Sequence, residues 1–200
     1  MARLDVREII EREAKAQSRK DQWRSIYEDC YEFALPQRNM YDGNYDGGTA
    51  GQRKMGRVFD STAISATQRF ANRIQAGLFP PQKAWCRLEA GTGIPKEQAP
   101  QAQAALDAYT ERMFEVMRQT NFDLAMGEFL LDLCVGTAVM MVTPGDEATP
   151  IRFTPVPQYL VAIEEGTFGN VDNVYRKLRM KCEAIPNEFP DADITPELAD

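Results

Sequence analysis

The sequence predicts an α+β fold in which long N-terminal helices and a buried helix pack with an antiparallel β-rich segment. In four stretches, 4–34, 62–78, 97–119 and 122–134, apolar side chains recur at three- and four-residue spacings, which is the period of an amphipathic helix. After residue 136 the pattern changes to short strand-like runs separated by Gly, Pro, Asn and Asp. Helices that are segregated from strands along a chain are typical of the α+β class.

The composition predicts a folded domain and excludes several classes of protein. Of the 200 residues, 44% are hydrophobic and ten are phenylalanine, which argues against disorder. The longest apolar stretch, 129–142, is interrupted by Asp132, Gly136 and Thr137, so it is too polar for a membrane span. The N-terminus lacks the apolar core of a secretory signal.

Histidine and cysteine usage limits the chemistry that the chain could perform. Histidine is absent, which removes the commonest general base and the commonest metal ligand near neutral pH. The four cysteines lie about fifty residues apart, at positions 30, 86, 134 and 182. This spacing fits neither a zinc site nor a small disulfide-bonded scaffold. We therefore expect buried free thiols in a reducing cytoplasm.

Charge is unevenly distributed along the chain. The net charge is −7, and residues 146–200 contribute −6 of it, with five Lys/Arg against eleven Asp/Glu. Proteins that grip nucleic acid generally present a basic face. The net negative charge therefore argues against non-specific DNA binding by this chain.

The first 35 residues predict a helical arm of one or two helices, ended by Pro36. Its early basic residues admit two interpretations, a nucleic-acid arm or a solvated helix face. Acids are interspersed at helical spacing, as in the pair Glu8 and Arg12, and this favours the solvated face. Residues 36–57 are rich in Gly and turn formers, predict a flexible loop, and match no phosphate-binding pattern.

A helix, a proline corner and a strand form the centre of the predicted fold. Asp60-Ser61-Thr62 supplies an N-cap for a helix that ends at Leu78, before Pro80 and Pro81. Residues 84–89 alternate apolar and polar, which predicts a half-buried strand. Trp85 lies in this strand, and we expect it to be buried and to anchor the strand to the preceding helix.

Two further helices and several strands follow in the sequence. The helices are predicted at 97–119 and, capped by Asn121, at 122–134, where the nearly all-apolar sequence indicates burial on most sides. Gly136 ends the second. Strands are predicted at 137–143, 151–155, 159–164 and 171–182, with a hairpin turn at 166–170. We expect residues 58–193 to form one α+β core, and 194–200 to begin a further element of a longer protein.

No catalytic constellation is visible in the sequence. We expect no catalytic residue, no cofactor and no metal, because no Ser or Cys can have a His partner and no metal-ligand spacing occurs. The acidic pairs Glu164–Glu165 and Asp191–Asp193 could bind a divalent ion, but adjacent acids are usually only solvated. Methionines at five positions, 113, 117, 126, 140 and 141, predict core filling.

Three separated stretches carry ordered motifs. The first joins Leu78-Phe79-Pro80-Pro81 to Trp85 and an Arg-Leu pair; the second is an apolar helix followed by Gly136 and a strand; the third is a strand, the turn Phe168-Gly169-Asn170-Val171 and a return strand. Together they resemble the head-to-tail connecting, or portal, proteins of short-tailed double-stranded DNA bacteriophages. The ordered set covers nearly the whole chain, so it is more specific than any one motif.

The resemblance implies a structural role, with the chain supplying a wing-like region of a portal subunit. Such a subunit would form a homo-oligomeric ring, a dodecamer in the full-length protein, at one capsid vertex, where DNA is packaged and later ejected. The implied partners are terminase, scaffold, capsid and tail proteins, together with double-stranded DNA that passes without sequence-specific binding, and no membrane. The implied location is the virion, after assembly in the host cytoplasm.

Two alternatives remain open at this point. One is an enzyme whose active site lies in a missing C-terminal part, and the other is a helical adaptor or scaffold module.

Overall fold

The structure, a computed structural model, describes residues 5–38, 57–81, 83–95, 97–178 and 180–190. It is an α+β fold of five long helices followed by two small antiparallel sheets and a short sixth helix. The helices are α1 (Val6–Asp21), α2 (Arg24–Ala34), α3 (Thr62–Leu78), α4 (Ala99–Arg118), α5 (Phe122–Val135) and α6 (Ile185–Glu188). The strands are β1 (Val139–Pro144), β2 (Ile151–Val156), β3 (Val161–Glu165) and β4 (Val171–Arg176).

The helix ends follow local signals, although not always through the expected residue. Asp60, rather than Ser61, caps α3, because its Oδ1 accepts hydrogen bonds from the backbone N (2.8 Å) and the hydroxyl (2.7 Å) of Thr62. Gly136 ends α5 in the predicted position. Asn121 occupies the predicted N-cap position of α5, but its side chain makes no capping hydrogen bond. Its amide instead brackets Phe153 of β2, donating to the carbonyl (2.7 Å) and accepting from the N–H (3.0 Å).

The two sheets are separate hairpins. β1 pairs with β2 from Val139 opposite Val156 to Pro144 opposite Ile151, and β3 pairs with β4, with a bulge at Glu164–Glu165. A two-stranded hairpin is marginally stable alone and needs a packing partner. The helices provide it, since α5 packs on β2 and α1 packs on β3.

The core lies between α2, α5 and the chain segment that joins the sheets. Tyr31 and Leu35 are fully buried, and Tyr27, Leu131, Val135 and Tyr159 pack around them. The hydroxyl of Tyr31 lies 3.4 Å from Oδ1 of the buried Asp132, so this carboxylate has a donor inside the core. α3 packs beside α5 and α2 and completes the helical layer.

In the described residues, one predicted strand is absent and two others have different bounds. Residues 84–89 are extended but belong to no strand, because no neighbouring strand offers a backbone ladder. The predicted strand 159–164 begins with a 3-10 turn over Gln158–Leu160, and the predicted strand 171–182 ends at Arg176. Helix α5 also exposes more than expected, since Leu124 and Leu133 lie on its open side.

The cysteine prediction is partly wrong. All four thiols are free, as expected, but Cys86 and Cys182 are exposed, while Cys30 and Cys134 are half-buried. Both exposed cysteines lie in segments that were predicted as strands with a buried face. Most of the predicted flexible loop and the segment 194–200 lie outside the described residues.

Candidate functional site

The proline corner after α3 is the centre of an aromatic cluster. Trp85 stacks on Phe122 (ring centroids 5.9 Å apart, planes 16° apart) and meets Phe79 and Phe114 edge-on at 5.0 and 5.5 Å. Phe153 extends the cluster from β2 by packing against Phe122 at 5.1 Å. Offset and edge-to-face contacts at these separations are the favoured geometries of aromatic pairs. The corner therefore ties α3, α4, α5 and β2 together through rings.

The burial predicted for Trp85 is wrong. The side chain anchors the corner as expected, but 36% of the residue remains exposed. Its segment is held by α4 instead of by a neighbouring strand. The hydroxyl of Thr110 accepts from the N–H of Leu88, and the amide of Gln103 accepts from the N–H of Ala90 (both 3.1 Å) and donates to the carbonyl of Leu88 (3.0 Å).

An ion pair reinforces the same segment. Arg87 donates through Nε and Nη2 to the two carboxylate oxygens of Asp107 at 2.8 and 2.7 Å, in the bidentate geometry that suits a guanidinium. This contact lowers the pKa of Asp107 and raises the pKa of Arg87. Both side chains are largely exposed, so the pair fixes the register of the segment more than it adds stability.

The remaining motif residues occupy two further positions. Leu78 is the exposed last residue of α3, and Pro80 and Pro81 follow its C-cap, Phe79. Gly136 lies under the side chain of Gln158, where an added Cβ would come within 2.8 Å of Gln158 Oε1 and 3.1 Å of the Tyr27 ring. Only glycine therefore fits at this junction without a shift of its neighbours. Phe168, Gly169 and Asn170 form the tip of the β3–β4 hairpin.

The hairpin tip has the geometry that the turn residues predict. The N–H of Gly166 donates to the carbonyl of Asn170 (2.8 Å), and Gly169 has a φ of 76°, a conformation that favours glycine. The ring of Phe168 is 91% exposed. The structure does not bring this tip together with the aromatic corner or with Gly136, so the motif residues form three separate sites.

Basic residues of α1 clamp the β3–β4 hairpin to the helices. Arg12 donates to both oxygens of Glu164 at 2.9–3.2 Å, and Asn173 and Tyr175 also donate to that carboxylate at 3.0 and 2.9 Å. Arg12 first, and Tyr175 second, lower the pKa of Glu164. Lys20 donates to the carbonyl of Tyr159 at 2.7 Å, and burial lowers its pKa to about 8.

These contacts bear on two interpretations of the sequence. Most of α1 is exposed, as a solvated face predicts, and Arg12 is an exception because its guanidinium is engaged with Glu164. The four donor atoms around Glu164 equally fill the positions that a divalent ion would need. Within the described ranges, no group of three or more Cys, Asp or Glu is arranged to hold a metal; Asp191 and Asp193 lie outside them.

A cavity of about 430 Å³ lies between the α1–α2 junction and the two sheets. Trp23, Tyr27, Val161 and Gln158 are among its lining residues. Gln158 is 6% exposed, and its Oε1 has no hydrogen-bond partner. That oxygen lies close to Gly136, where an added Cβ would come within 2.8 Å of it, and it is itself buried from solvent.

Comparison of the sequence with known proteins assigns the chain to a family. None of the helices described is long and apolar enough to cross a membrane. No curated protein matches the chain. A family model described as "Bacteriophage head to tail connecting protein" matches residues 6–200, which is nearly the whole chain. The chain therefore belongs to the bacteriophage head-to-tail connecting proteins, a family of structural components of the phage particle.

Proposed function

We propose that this protein is a structural subunit of a closed portal ring at one vertex of the phage capsid. The ring is the conduit through which double-stranded DNA is packaged and ejected, and the surface to which the tail attaches. The observation that carries the proposal is the family match over residues 6–200, because it covers both the helical and the β-rich parts of the chain.

The packing of the chain supports a subunit that is completed by neighbours. Large hydrophobic side chains are exposed on every long helix, on strands β1 and β4, and in the connections before α3 and between β3 and β4. The most exposed of them are Phe59, Phe168, Leu124, Val6 and Tyr109. We expect neighbouring subunits to cover these side chains in the assembled ring. The fully buried core is correspondingly small.

The charge of the chain suits a conduit. A protein that neutralises phosphates with Lys and Arg holds the duplex, and it does so more tightly at low salt. With a net charge of −7, this chain would guide DNA without gripping it. The proposed protein partners are the terminase motor during packaging, scaffold and capsid proteins during assembly, and tail proteins afterwards. The ring is proposed to be a dodecamer that acts in the virion and assembles in the host cytoplasm.

Electron microscopy of the purified full-length protein tests the proposal. We expect closed rings with a central channel, whose rotational symmetry gives the number of subunits directly. Monomers, open filaments or irregular aggregates at micromolar concentration would contradict a portal ring and favour a helical adaptor.

A nucleotide hydrolysis assay on the same preparation addresses the enzyme alternative. We expect no turnover by the ring alone, because the proposed role is structural. Turnover that persists through ring purification and is abolished by a single substitution would assign an active site to this protein.

A further inference from the structure

Two exposed surfaces, one on the β3–β4 hairpin and one on α3, carry charged side chains that have no ion-pair partner among the described residues. The first, here named the hairpin tip, consists of Phe168, Val171 and Asp172. The second, named the α3 groove, consists of Ala66, Arg69, Phe70, Arg73 and Ile74. The hairpin tip is apolar and acidic, and the α3 groove is apolar and basic.

The hairpin tip projects a rigid apolar side chain beside a carboxylate. Phe168 is 91% exposed, although the turn that carries it is fixed by hydrogen bonds of Gly166 with Asn170 and Gly169. The carboxylate of Asp172 lies over Gly166, where a Cβ would overlap it, and has no hydrogen bond or ion pair among the described residues. Because the turn is already ordered, its backbone would lose little conformational entropy when the exposed ring binds a partner.

The α3 groove presents the complementary features. Arg69 and Arg73 are four residues apart and so lie on one face of the helix, an arrangement that slightly destabilises an isolated helix. Neither has an acidic partner in the part of the chain that the structure describes. They lie on one open face of α3 together with Phe70, which is 42% exposed, and Ile74.

We propose that the α3 groove receives the hairpin tip of a second copy of this chain. Phe168 would pack against Phe70 and Ile74, and Asp172 would lie within reach of Arg69 and Arg73. The occupant follows from charge complementarity: cations flank an apolar groove, and the hairpin tip offers an apolar ring with an anion. Duplex DNA fits less well, because it offers no apolar group for Phe70 and Ile74.

The two surfaces differ from one another, so their contact is head-to-tail. Such a contact closes into a ring when its rotation permits and otherwise continues as a filament. The inference therefore rests on the proposed ring and deepens it by naming the residues on each side. The hairpin packs on α1, whereas α3 packs on α2 and α5, so one subunit could use both surfaces at once.

A mixing experiment tests this contact. The hairpin variant carries Phe168→Ser and Asp172→Ala, and the groove variant carries Arg69→Glu and Arg73→Glu. In sedimentation velocity, each variant should self-associate at least roughly tenfold more weakly than the wild type. Every contact between two copies of the same variant would include one altered surface. Mixed together they should form a one-to-one dimer, since the groove of the first and the hairpin of the second remain intact.

Matched controls separate this contact from general effects of charge and apolar surface. Arg118→Glu with Lys181→Glu makes the same charge change elsewhere on the surface, and Phe189→Ser removes another exposed ring; both should assemble as the wild type does. Melting curves should be unchanged in all variants, because every substituted side chain is exposed or half-exposed. Wild-type assembly by either variant, or a mixture that stays monomeric, would overturn the inference.

Disulfide trapping distinguishes this contact from ring closure. In a background with Cys86 and Cys182 replaced by Ser, Phe168→Cys and Phe70→Cys copies should cross-link on mixing, whereas Phe189→Cys and Phe70→Cys copies should not. Cross-linking without rings in micrographs would support the contact and contradict the proposed function. Rings without cross-linking would overturn the contact alone, and absence of both would overturn both.

Discussion

Arg12 and Glu164 join the first helix to the third strand across 152 residues of sequence. The guanidinium donates through Nε and Nη2 to both carboxylate oxygens, with the shortest contact at 2.9 Å. Tyr175 and Asn173 donate to the same carboxylate from the neighbouring strand. The pair therefore holds α1 against the hairpin and fixes where the hairpin projects.

The first prediction is that Glu164→Gln lowers stability in a pH-dependent way. The pKa of Glu164 is lower in the folded state than the ordinary value of 4.5, mainly because Arg12 donates to it. A depressed carboxyl pKa stabilises the fold above the unfolded pKa, and the gain is lost as the pH falls through the folded pKa. The difference in free energy of unfolding between wild type and variant should thus be full at pH 7 and shrink below about pH 4.5.

Urea unfolding at a series of pH values measures this difference. Glu147→Gln, in the turn between β1 and β2, is the control, and its difference from the wild type should stay small at every pH. A Glu164→Gln difference that is the same at pH 7 and pH 3 would show that the Arg12 contact contributes nothing to folding.

Local signals explain which elements could be predicted from the sequence. The three- and four-residue periodicity gave α3, α4 and α5 within two residues of their observed ends, and Gly136 and the turn at 166–170 lie where the sequence indicates. Caps, helix periods and tight turns depend on residues close together in the chain. They can therefore be recognised without knowing the tertiary structure.

Features that depend on distant residues could not be predicted in the same way. Residues 84–89 alternate like a strand, yet Gln103 and Thr110 take the hydrogen bonds that a neighbouring strand would have made. Glu164 was a metal candidate only because its partner Arg12 lies at the other end of the chain. Two arginines of α1 reach β3, Arg12 at Glu164 and Arg19 at Glu165, and spacing alone does not distinguish either of them from the other basic residues of the helix.

The second prediction concerns the aromatic cluster. Trp85→Ala should lower the free energy of unfolding by about 2–4 kcal/mol, less than a fully buried tryptophan, because a third of the residue is exposed. Trp23→Ala is the control, with 58% exposure and an expected cost below about 1 kcal/mol. Each variant retains one tryptophan, so its fluorescence follows unfolding in urea. Equal costs for the two substitutions would contradict an anchoring role of Trp85.

The third prediction compares two glycines. Gly136→Ala should cost about 1–3 kcal/mol, because the new Cβ would approach the buried amide of Gln158 and the ring of Tyr27. Gly77→Ala, within α3 and with open space around it, should instead stabilise the protein by roughly 0.5–1 kcal/mol. Thermal melting of the two variants beside the wild type checks the opposite signs.

A second-site variant tests the cause of the Gly136 effect. Gln158→Ala removes the amide that the new Cβ would meet, so it should cost less in the Gly136→Ala background than in the wild type. Additive costs would show that Gln158 is not the group that requires glycine at this position.

The fourth prediction follows from Lys20. Burial lowers its pKa to about 8 in the folded protein, against an ordinary value of 10.5, while Asp21 opposes the shift and Lys177 adds to it. Between these two values the unfolded chain binds more protons than the folded protein does. Stability contributed by this group therefore rises with pH from about 8 to 10.5.

Comparison with Lys20→Met isolates this effect from cysteines and tyrosines that titrate in the same range. The free energy of unfolding of the wild type should increase relative to the variant across the window, as measured in urea at half-unit steps of pH. Lys83→Met, which removes an exposed lysine after the proline corner, should keep a constant difference from the wild type. If Lys20→Met also keeps a constant difference, Lys20 titrates at the same pH in the folded and unfolded chain, and its hydrogen bond to the carbonyl of Tyr159 is made without desolvating the ammonium.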